Sequence, residues 1–317
     1  MNMKLKVAVD CGRGHVKVAS YTASRELVAF SFANRVEKDE VKRLGDSHLV
    51  EYKGVNYRLG ENTTGISSDS MELDKLDDNF KLNIYTATAL MISKLNQPSV
   101  SCSVDLKINV PLSLFKDEAE RSRYQSFFDE KNVSIRVDGR MYVFYINSVE
   151  VFYEGSGFLL SNIDLLDERN EYFTLIDFGS LNLSYAEFDN ELRPSINRCD
   201  SLMAGSHVII NHLYRVLQGK GYRYDNYEIQ ASIQGAKKLK PEATIMVDYE
   251  IENWLEKNVF TKLDAIDWNG KIYFTGGSSL LFKKYIEKKM AGRDYEISEN
   301  AWFDNAVGFL NNDDEEE

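Results

Sequence analysis

Apolar and polar positions alternate along residues 4–10, "KLKVAVD", break at "CGRG", and alternate again through "HVKVASYT". A period of two on either side of a glycine turn predicts a β-hairpin at the start of the chain. Residues 27–60 are polar with short apolar runs and a second hairpin-like stretch, "YKGVNYRLG", and suggest a small added subdomain. The period becomes helical in "NFKLNIYTATALMISKL", where Ile84, Ala87, Leu90 and Met91 fall on one face. "DLKINVPLSLF" reads as a buried strand ending at Pro111, and "KDEAERSRYQSFFDE" as a charged surface helix.

Near residue 150 the design starts again. "INSVEVFYEGSGFLL" is a strand running into a glycine-punctuated turn, and "EYFTLIDFGSLNLSYAEF" repeats the opening order of strand, Asp-x-Gly turn and strand. Asp177 lies 167 positions after Asp10 (177 minus 10), about half of the 317 residues. Residues 203–262 read as mostly helical, interrupted by "GKGYRYDNYE". "KIYFTGGSSLLFKKYIEKK" is a strand, two glycines and a helix. The last helix, in "NAWFDNAVGFLN", is expected to place Trp302, Ala306 and Phe309 on one face and to pack back on the body.

Composition narrows the class. The length suits two domains of about 150 residues each, and 43% hydrophobic with 28% charged residues is a globular balance. A net charge of −12 disfavours direct DNA binding and suits attraction to a basic partner protein. Cys11, Cys102 and Cys199 form neither a disulfide framework nor a zinc knuckle, as expected of a reducing cytoplasm. The four histidines make no HxxxH or HExxH pattern, so a protein-only metal site is not expected. No stretch approaches the roughly 18 apolar residues of a membrane span, and the N-terminus does not read as a signal peptide. The closing "NNDDEEE" reads as a solvated acidic tail, its other uses being a handle or a brake on assembly.

The chemistry sits in three loops and one carboxylate. A Walker or Rossmann loop opens a helix; residues 16–22 have period two, so the first loop closes a hairpin and is neither. At such a tip Gly12 and Gly14 free the backbone, and the N–H groups of Gly12, Arg13, Gly14 and His15 can face an anion. Lys17 adds a point charge for a phosphate oxygen. Asp10 would oppose a phosphate directly, so its role is to hold Mg²⁺ through water. Alone, the loop reads equally as an ordinary glycine hairpin. Its repeat in "IDFGSLN", with Asp177, Gly179, Ser180, Leu181 and Asn182, makes a pair of phosphate-clamping tips the better reading. "YFTGGSS" supplies Gly276, Gly277 and Ser278 between a strand and a helix, where amides and helix dipole favour an anion or a close-packed purine. Glu154, in "YEGSG", is the candidate for positioning water; a solvated turn glutamate is its plain alternative.

Asp-x-Gly-x-x-x-x-Lys at 10–17, Asp-x-Gly at 177–179 and Thr-Gly-Gly at 275–277 resemble the phosphate 1, phosphate 2 and adenosine motifs of the actin/Hsp70/sugar-kinase superfamily. In length, in "FTGGSSLL" and in "FDNAVGF" the chain is most similar to bacterial actin-like proteins of the ParM, plasmid-segregation type. The resemblance spans the chain as an order and spacing of motifs. It implies an α/β, actin-like two-domain fold with two ribonuclease-H-like cores and a nucleotide cleft between them. Domain I would be residues 1–155 with an added subdomain at 28–75, completed by a helix at 300–312. Domain II would be 156–299 with an added subdomain at 208–265, and 313–317 the tail. It also implies ATP or GTP with Mg²⁺, and polymerisation coupled to hydrolysis. By position, Asp10 and Asp177 become the magnesium-side aspartates, Lys17 the phosphate lysine and Glu154 the water-positioning residue. Gly205, Gly276 and Gly277 become part of the nucleotide site, the last two against the base and α-phosphate. Leu181, Asn182 and Ser278 stand where much of the family has smaller residues, which bears on nucleotide preference or turnover. "IQGAKKLK" at 233–240 reads as a surface helix, or as a ribose contact through Gln234 or Lys238.

The expected function is a nucleotide-dependent, self-assembling cytomotive filament in a bacterial cytoplasm, reaching plasmid DNA through a basic DNA-binding adaptor, with no membrane partner. The alternative is a small-molecule kinase or phosphatase of the same superfamily, which would need a catalytic aspartate facing a substrate pocket. A non-polymerising scaffold is a third reading, disfavoured by an acidic rather than amphipathic C-terminus.

Overall fold

The computed structural model describes residues 4–39, 42–61, 63, 74–98, 100–128, 130, 132–162, 172–265 and 270–312. The acidic tail at 313–317 lies outside them. Contacts gather into two units, 1–161 with 303–317 and 162–302.

Among the described residues the first unit holds a nine-stranded sheet. Its strands are β1 (Lys4–Cys11), β2 (His15–Tyr21), β3 (Leu27–Ala33), β4 (Val36–Lys38), β5 (His48–Tyr52), β6 (Val55–Leu59), β7 (Val100–Val110), β8 (Val133–Val137) and β9 (Arg140–Tyr153). Their order is β3-β2-β1-β7-β9-β8-β5-β6-β4. β1, β2 and β3 form an antiparallel meander, and β1, β7 and β9 run parallel. Parallel strands are covered on both faces, which is why β7 stays buried from Val104 to Val110 even though Asp105, Lys107 and Asn109 alternate with its apolar residues. Leu27–Ala33, whose sequence reads as part of an added subdomain, is therefore the third strand of the meander. β4 to β6 extend the far edge through β8.

The helix Asp78–Lys94 starts where the Asp77 carboxylate accepts the Phe80 N–H. One apolar face was expected; instead the helix is buried on most sides, with Tyr85, Thr86, Thr88 and Ala89 inside and Leu90 only partly so. The cause is tertiary: the Tyr85 ring meets Tyr52, Phe128 and Phe144 edge-on, so neighbours cover what a surface helix would leave wet.

The C-terminal helix, Asp304–Asn311, packs in this unit. Phe309 stacks on Phe152 with ring centroids 4.6 Å apart. Buried Lys107 donates to the Phe309 carbonyl at 2.8 Å, a cation at the helix C-terminus where the dipole favours it. A Cβ on Gly308 would lie 1.8 Å from the Gly157 carbonyl oxygen, so "YEGSG" and "FDNAVGF" meet through their glycines. Trp302 does not share this helix with Ala306 and Phe309, as the sequence suggested. It precedes the helix and packs in the second unit against Gly277, whose Cβ would meet its ring at 2.5 Å.

The second unit holds, among the described residues, β10 (Tyr172–Phe178), β11 (Leu183–Asp189), β12 (Pro194–Leu202), β13 (Lys271–Thr275) and β14 (Tyr295–Ile297), ordered β12-β11-β10-β13-β14. The first three are an antiparallel meander; β10, β13 and β14 run parallel. This matches β3-β2-β1-β7-β9 strand for strand, so both units have the ribonuclease-H-like core. The helices Ser206–Gly219, Asn226–Ile233 and Pro241–Leu255 form the helical stretch expected from 203 onward. Residues 234–240 are not the surface helix their sequence suggested. The preceding helix ends at Ile233, Gly235 takes a positive φ of 75°, and Pro241 opens the next helix.

Candidate phosphate-binding loops

Both Asp-x-Gly turns close hairpins of the same register. In the first, Cys11 pairs with Val16 and Asp10 with Lys17, leaving 12–15 as the tip. In the second, Phe178 pairs with Leu183 and Asp177 with Ser184, leaving 179–182. A Cβ on Gly12 would lie 3.1 Å from the His15 carbonyl oxygen, and one on Gly179 would lie 3.1 Å from that of Asn182. Neither Gly12 nor Gly14 has a positive φ, so the conformational freedom expected of them is not what the first tip uses.

The first tip is held by charge. Lys17 Nζ donates to Asp10 Oδ2 at 2.8 Å, and Asn109 Nδ2 donates to Asp10 Oδ1 at 2.8 Å. Burial pushes the Asp10 carboxyl up, but the ammonium groups of Lys17 and Lys75 and the hydrogen bonds from Lys17 and Asn109 outweigh it. They hold the group below the usual carboxylate range. Beneath the loop, Asn83 donates to Asn34 and Asn34 to the Gly12 carbonyl, each at 2.8 Å. Arg13 Nη2 donates to the Asp74 carbonyl at 2.8 Å, and His15 Nε2 lies 3.7 Å from Glu61 Oε1, so both side chains make protein contacts.

Glu154 follows β9, its N–H bonded to the Val110 carbonyl at 2.9 Å. Asp10, Asn109 and Glu154 thus stand at the carboxyl ends of three neighbouring parallel strands, where open α/β sheets bind ligands. The next residue, Gly155, donates its N–H to Asn305 Oδ1 at 2.9 Å, which anchors the turn to the C-terminal helix. Glu154 Oε1 lies 2.7 Å from Lys75 Nζ, both side chains nearly buried at 12% and 6% exposure.

The second tip is held by neutral groups. Gly205 N–H donates to Leu181 O at 2.9 Å, His207 N–H to Ser180 O at 2.8 Å, and Ser278 Oγ to Gly179 O at 2.7 Å. Asn182 Nδ2 reaches Ser184 Oγ at 3.1 Å. Gly276 has a φ of 82°, and a Cβ there would lie 2.4 Å from Asp177 Oδ1 and 2.5 Å from Phe178 O. No other residue takes that turn so close to the aspartate. Asp177, Gly179, Ser180, Leu181, Asn182, Gly205, Gly276 and Ser278 therefore converge in the second unit. Asp10, the loop 12–15, Lys17 and Glu154 do so in the first.

Lys75, Asn109, Asn34 and Asn83 were not singled out from the sequence. Asn83 carried a signal as a polar residue among apolar neighbours on a helix, and Asn109 as a polar residue at the end of a strand that reads as buried. Lys75, in the charged stretch "ELDKLDD", carried none.

Two units of one strand order, each presenting an Asp-x-Gly hairpin at the same sheet position, define an actin-like fold. Residues 8–157 match the family described as the N-terminal domain of actin like proteins. No curated protein sequence matches the chain. Solved structures match it over nearly its whole length. An archaeal actin homolog in complex with ADP is 19% identical, with a TM-score of 0.74 and 99% of this chain and 100% of that one covered. A non-polymerisable quadruple mutant of pCBH ParM is 15% identical, with a TM-score of 0.77 and coverages of 99% and 100%. A 15-stranded ParM filament from Clostridium botulinum is 17% identical, with a TM-score of 0.73 and coverages of 98% and 98%. The chain has the actin-like fold, and its residues 8–157 are similar to the N-terminal domain of actin like proteins.

Proposed function

We propose that this chain is a nucleotide-dependent, polymerising actin-like NTPase whose filaments move plasmid DNA through a basic DNA-binding adaptor. The observation that carries the reading is the pair of Asp-x-Gly hairpins with one register, at the same position of two cores with one strand order. An actin-like structure similar to this one holds ADP, and another is a filament, which supports nucleotide binding and self-assembly here. The acidic chain repels DNA, so the cargo is reached through a basic partner.

The residues of the first hairpin fit Mg²⁺ with ATP or GTP. Asp10 is held ionised, and the buried Asn109 Oδ1 beside it has no protein hydrogen-bond partner, an acceptor that a magnesium-bound water would satisfy. Among the described residues no cluster of three His, Cys, Asp or Glu could hold a metal, so waters and phosphate oxygens would complete its shell. Asp10 would face that shell, Asp177 holds the matching position in the second core, and the ion would offset charge on the phosphates. Lys17 contributes a second cation, and the amides of 12–15 and 179–182 contribute donors. Gly276, Gly277 and Ser278 would lie against the base and α-phosphate, and Glu154 would orient the attacking water.

The test is purified protein with Mg²⁺ and ATP, GTP or their diphosphates, followed by light scattering, electron microscopy and phosphate release. Filaments that form with a triphosphate and disassemble after hydrolysis are the expected result. Monomeric protein with every nucleotide at micromolar concentration, or phosphorylation of a sugar or acetate, would overturn the filament reading.

A further inference from the structure

Lys75 is a buried lysine on the irregular segment before the helix Asp78–Lys94, and its partner is the glutamate placed at the hydrolytic water. A buried ammonium is retained only against a large desolvation penalty, and that penalty falls equally on its carboxylate partner. The segment is built to keep Lys75 where it is. The Lys75 N–H donates to Tyr124 Oη at 2.9 Å, and Tyr124 in turn donates to Asp74 Oδ1 at 3.1 Å. Arg123 Nη2 reaches Asp74 Oδ2 at 2.6 Å. Arg13, from the first phosphate loop, donates to the Asp74 carbonyl. Tyr124 is itself fully buried, so the anchor does not swing with solvent. The positive charge of Lys75 is also felt at Asp10. One ammonium thus pairs with Glu154 and acts on Asp10, and the segment that carries it is tied to the phosphate loop through Arg13 and the Asp74 carbonyl.

We propose that Lys75 is a positioning residue of the hydrolytic step: its ammonium holds the Glu154 carboxylate in one orientation, from a segment fastened to the phosphate loop. This rests on the water-orienting role proposed for Glu154. Lys75 pairs with Glu154 whereas Lys17 pairs with Asp10, so the loss of Lys75 acts mainly on turnover and nucleotide binding rests chiefly on Lys17 and the loop amides.

The experiment compares wild type, Lys75→Met, Lys75→Arg, Glu154→Gln and the double variant Lys75→Met with Glu154→Gln, as full-length chains. Phosphate release and the dissociation constant of a fluorescent ATP analogue are measured with Mg²⁺, and folding is checked by thermal melts. Lys75→Met should slow phosphate release at least about tenfold, a part of the roughly 10²–10⁴-fold that a positioned acid–base group supplies, and change nucleotide affinity by less than about threefold. Lys75→Arg should recover most of the rate. The double variant should be no slower than Glu154→Gln alone, because the two residues act as one unit. If Lys75→Met does not fold, the double variant and Lys75→Arg decide the matter, since neither leaves a lone buried charge. A wild-type rate in Lys75→Met overturns the proposal. So does a double variant slower than Glu154→Gln by a further factor of that size, or a loss of affinity equal to the loss of rate that arginine does not rescue. A wild-type rate in Glu154→Gln instead overturns the role of Glu154 and this inference with it; a slow Glu154→Gln beside a normal Lys75→Met overturns the inference alone.

Discussion

The hairpins 10–17 and 177–184 are the same object in register and different objects in charge. Asp10 faces Lys17 across the first, whereas Asp177 faces Ser184 across the second. The contrast continues along each sheet. Asn109 sits beside Asp10 and Thr275 beside Asp177. The residue after the third parallel strand is Glu154 in the first unit and Ser298 in the second. The hairpin register is the same in both units, and in the first it carries an ion pair between Lys17 and Asp10. A charged tip must be stabilised by burial-resistant ion pairs, and the first unit supplies two lysines and an asparagine for this. The second unit holds its tip with backbone donors and hydroxyls, which position a loop without adding charge.

The largest test of this contrast removes the cation from the charged tip. Lys17→Met leaves Asp10 buried without its nearest cation, and should cost about 3–5 kcal/mol of stability and raise the Asp10 carboxyl toward or above its ordinary value. Denaturant melts measure the first and NMR titration of the carboxyl the second. A loss no greater than that of Ser184→Ala would break the comparison. Next is Glu154→Gln, expected to slow phosphate release about a hundredfold or more while filaments still form and persist longer. Ser298→Ala should change the rate less than about twofold, as a neutral residue far down that scale.

Gly276→Ala follows. It forces a side chain into a positive φ, costing about 1–3 kcal/mol by backbone strain, and it crowds Asp177. A melt at wild-type temperature would show that the second tip is less tightly built than its hydrogen bonds suggest. The smallest effects sharpen the likeness. Ser184→Ala should cost about 1 kcal/mol, one hydrogen bond among neutral groups. Gly12→Ala and Gly179→Ala meet the same 3.1 Å contact at equivalent positions and should destabilise by equal amounts, about 1 kcal/mol. Unequal costs would mean that the tips are not equivalent.

Much of this was legible beforehand because its causes are local. A period of two around a short glycine turn is a hairpin whatever surrounds it, so both loops and the strand-glycine-helix at 271–281 were found. The duplicated Asp-x-Gly, half a chain apart, carried the fold class. Where reading failed, a neighbour distant in sequence had decided the outcome. Leu27–Ala33 is the exception: its partner β2 is the strand just before it, and its polar alternation hid the pairing. Trp302 fits the apolar face of a helix it does not join, because Gly277 leaves space for its ring 25 residues earlier in the chain. Lys75 looked like one charge among several in "ELDKLDD", and its burial depends on Glu154, 79 residues away.

The sequence by itself determined the two hairpins, their aspartates and Lys17, since turn chemistry and strand period act over a few residues. Only the tertiary structure decided which polar groups stand against those aspartates and which lysine holds Glu154. Those partners arrive from other strands, and ion pairing inside a protein is set by burial and proximity, which no local pattern encodes.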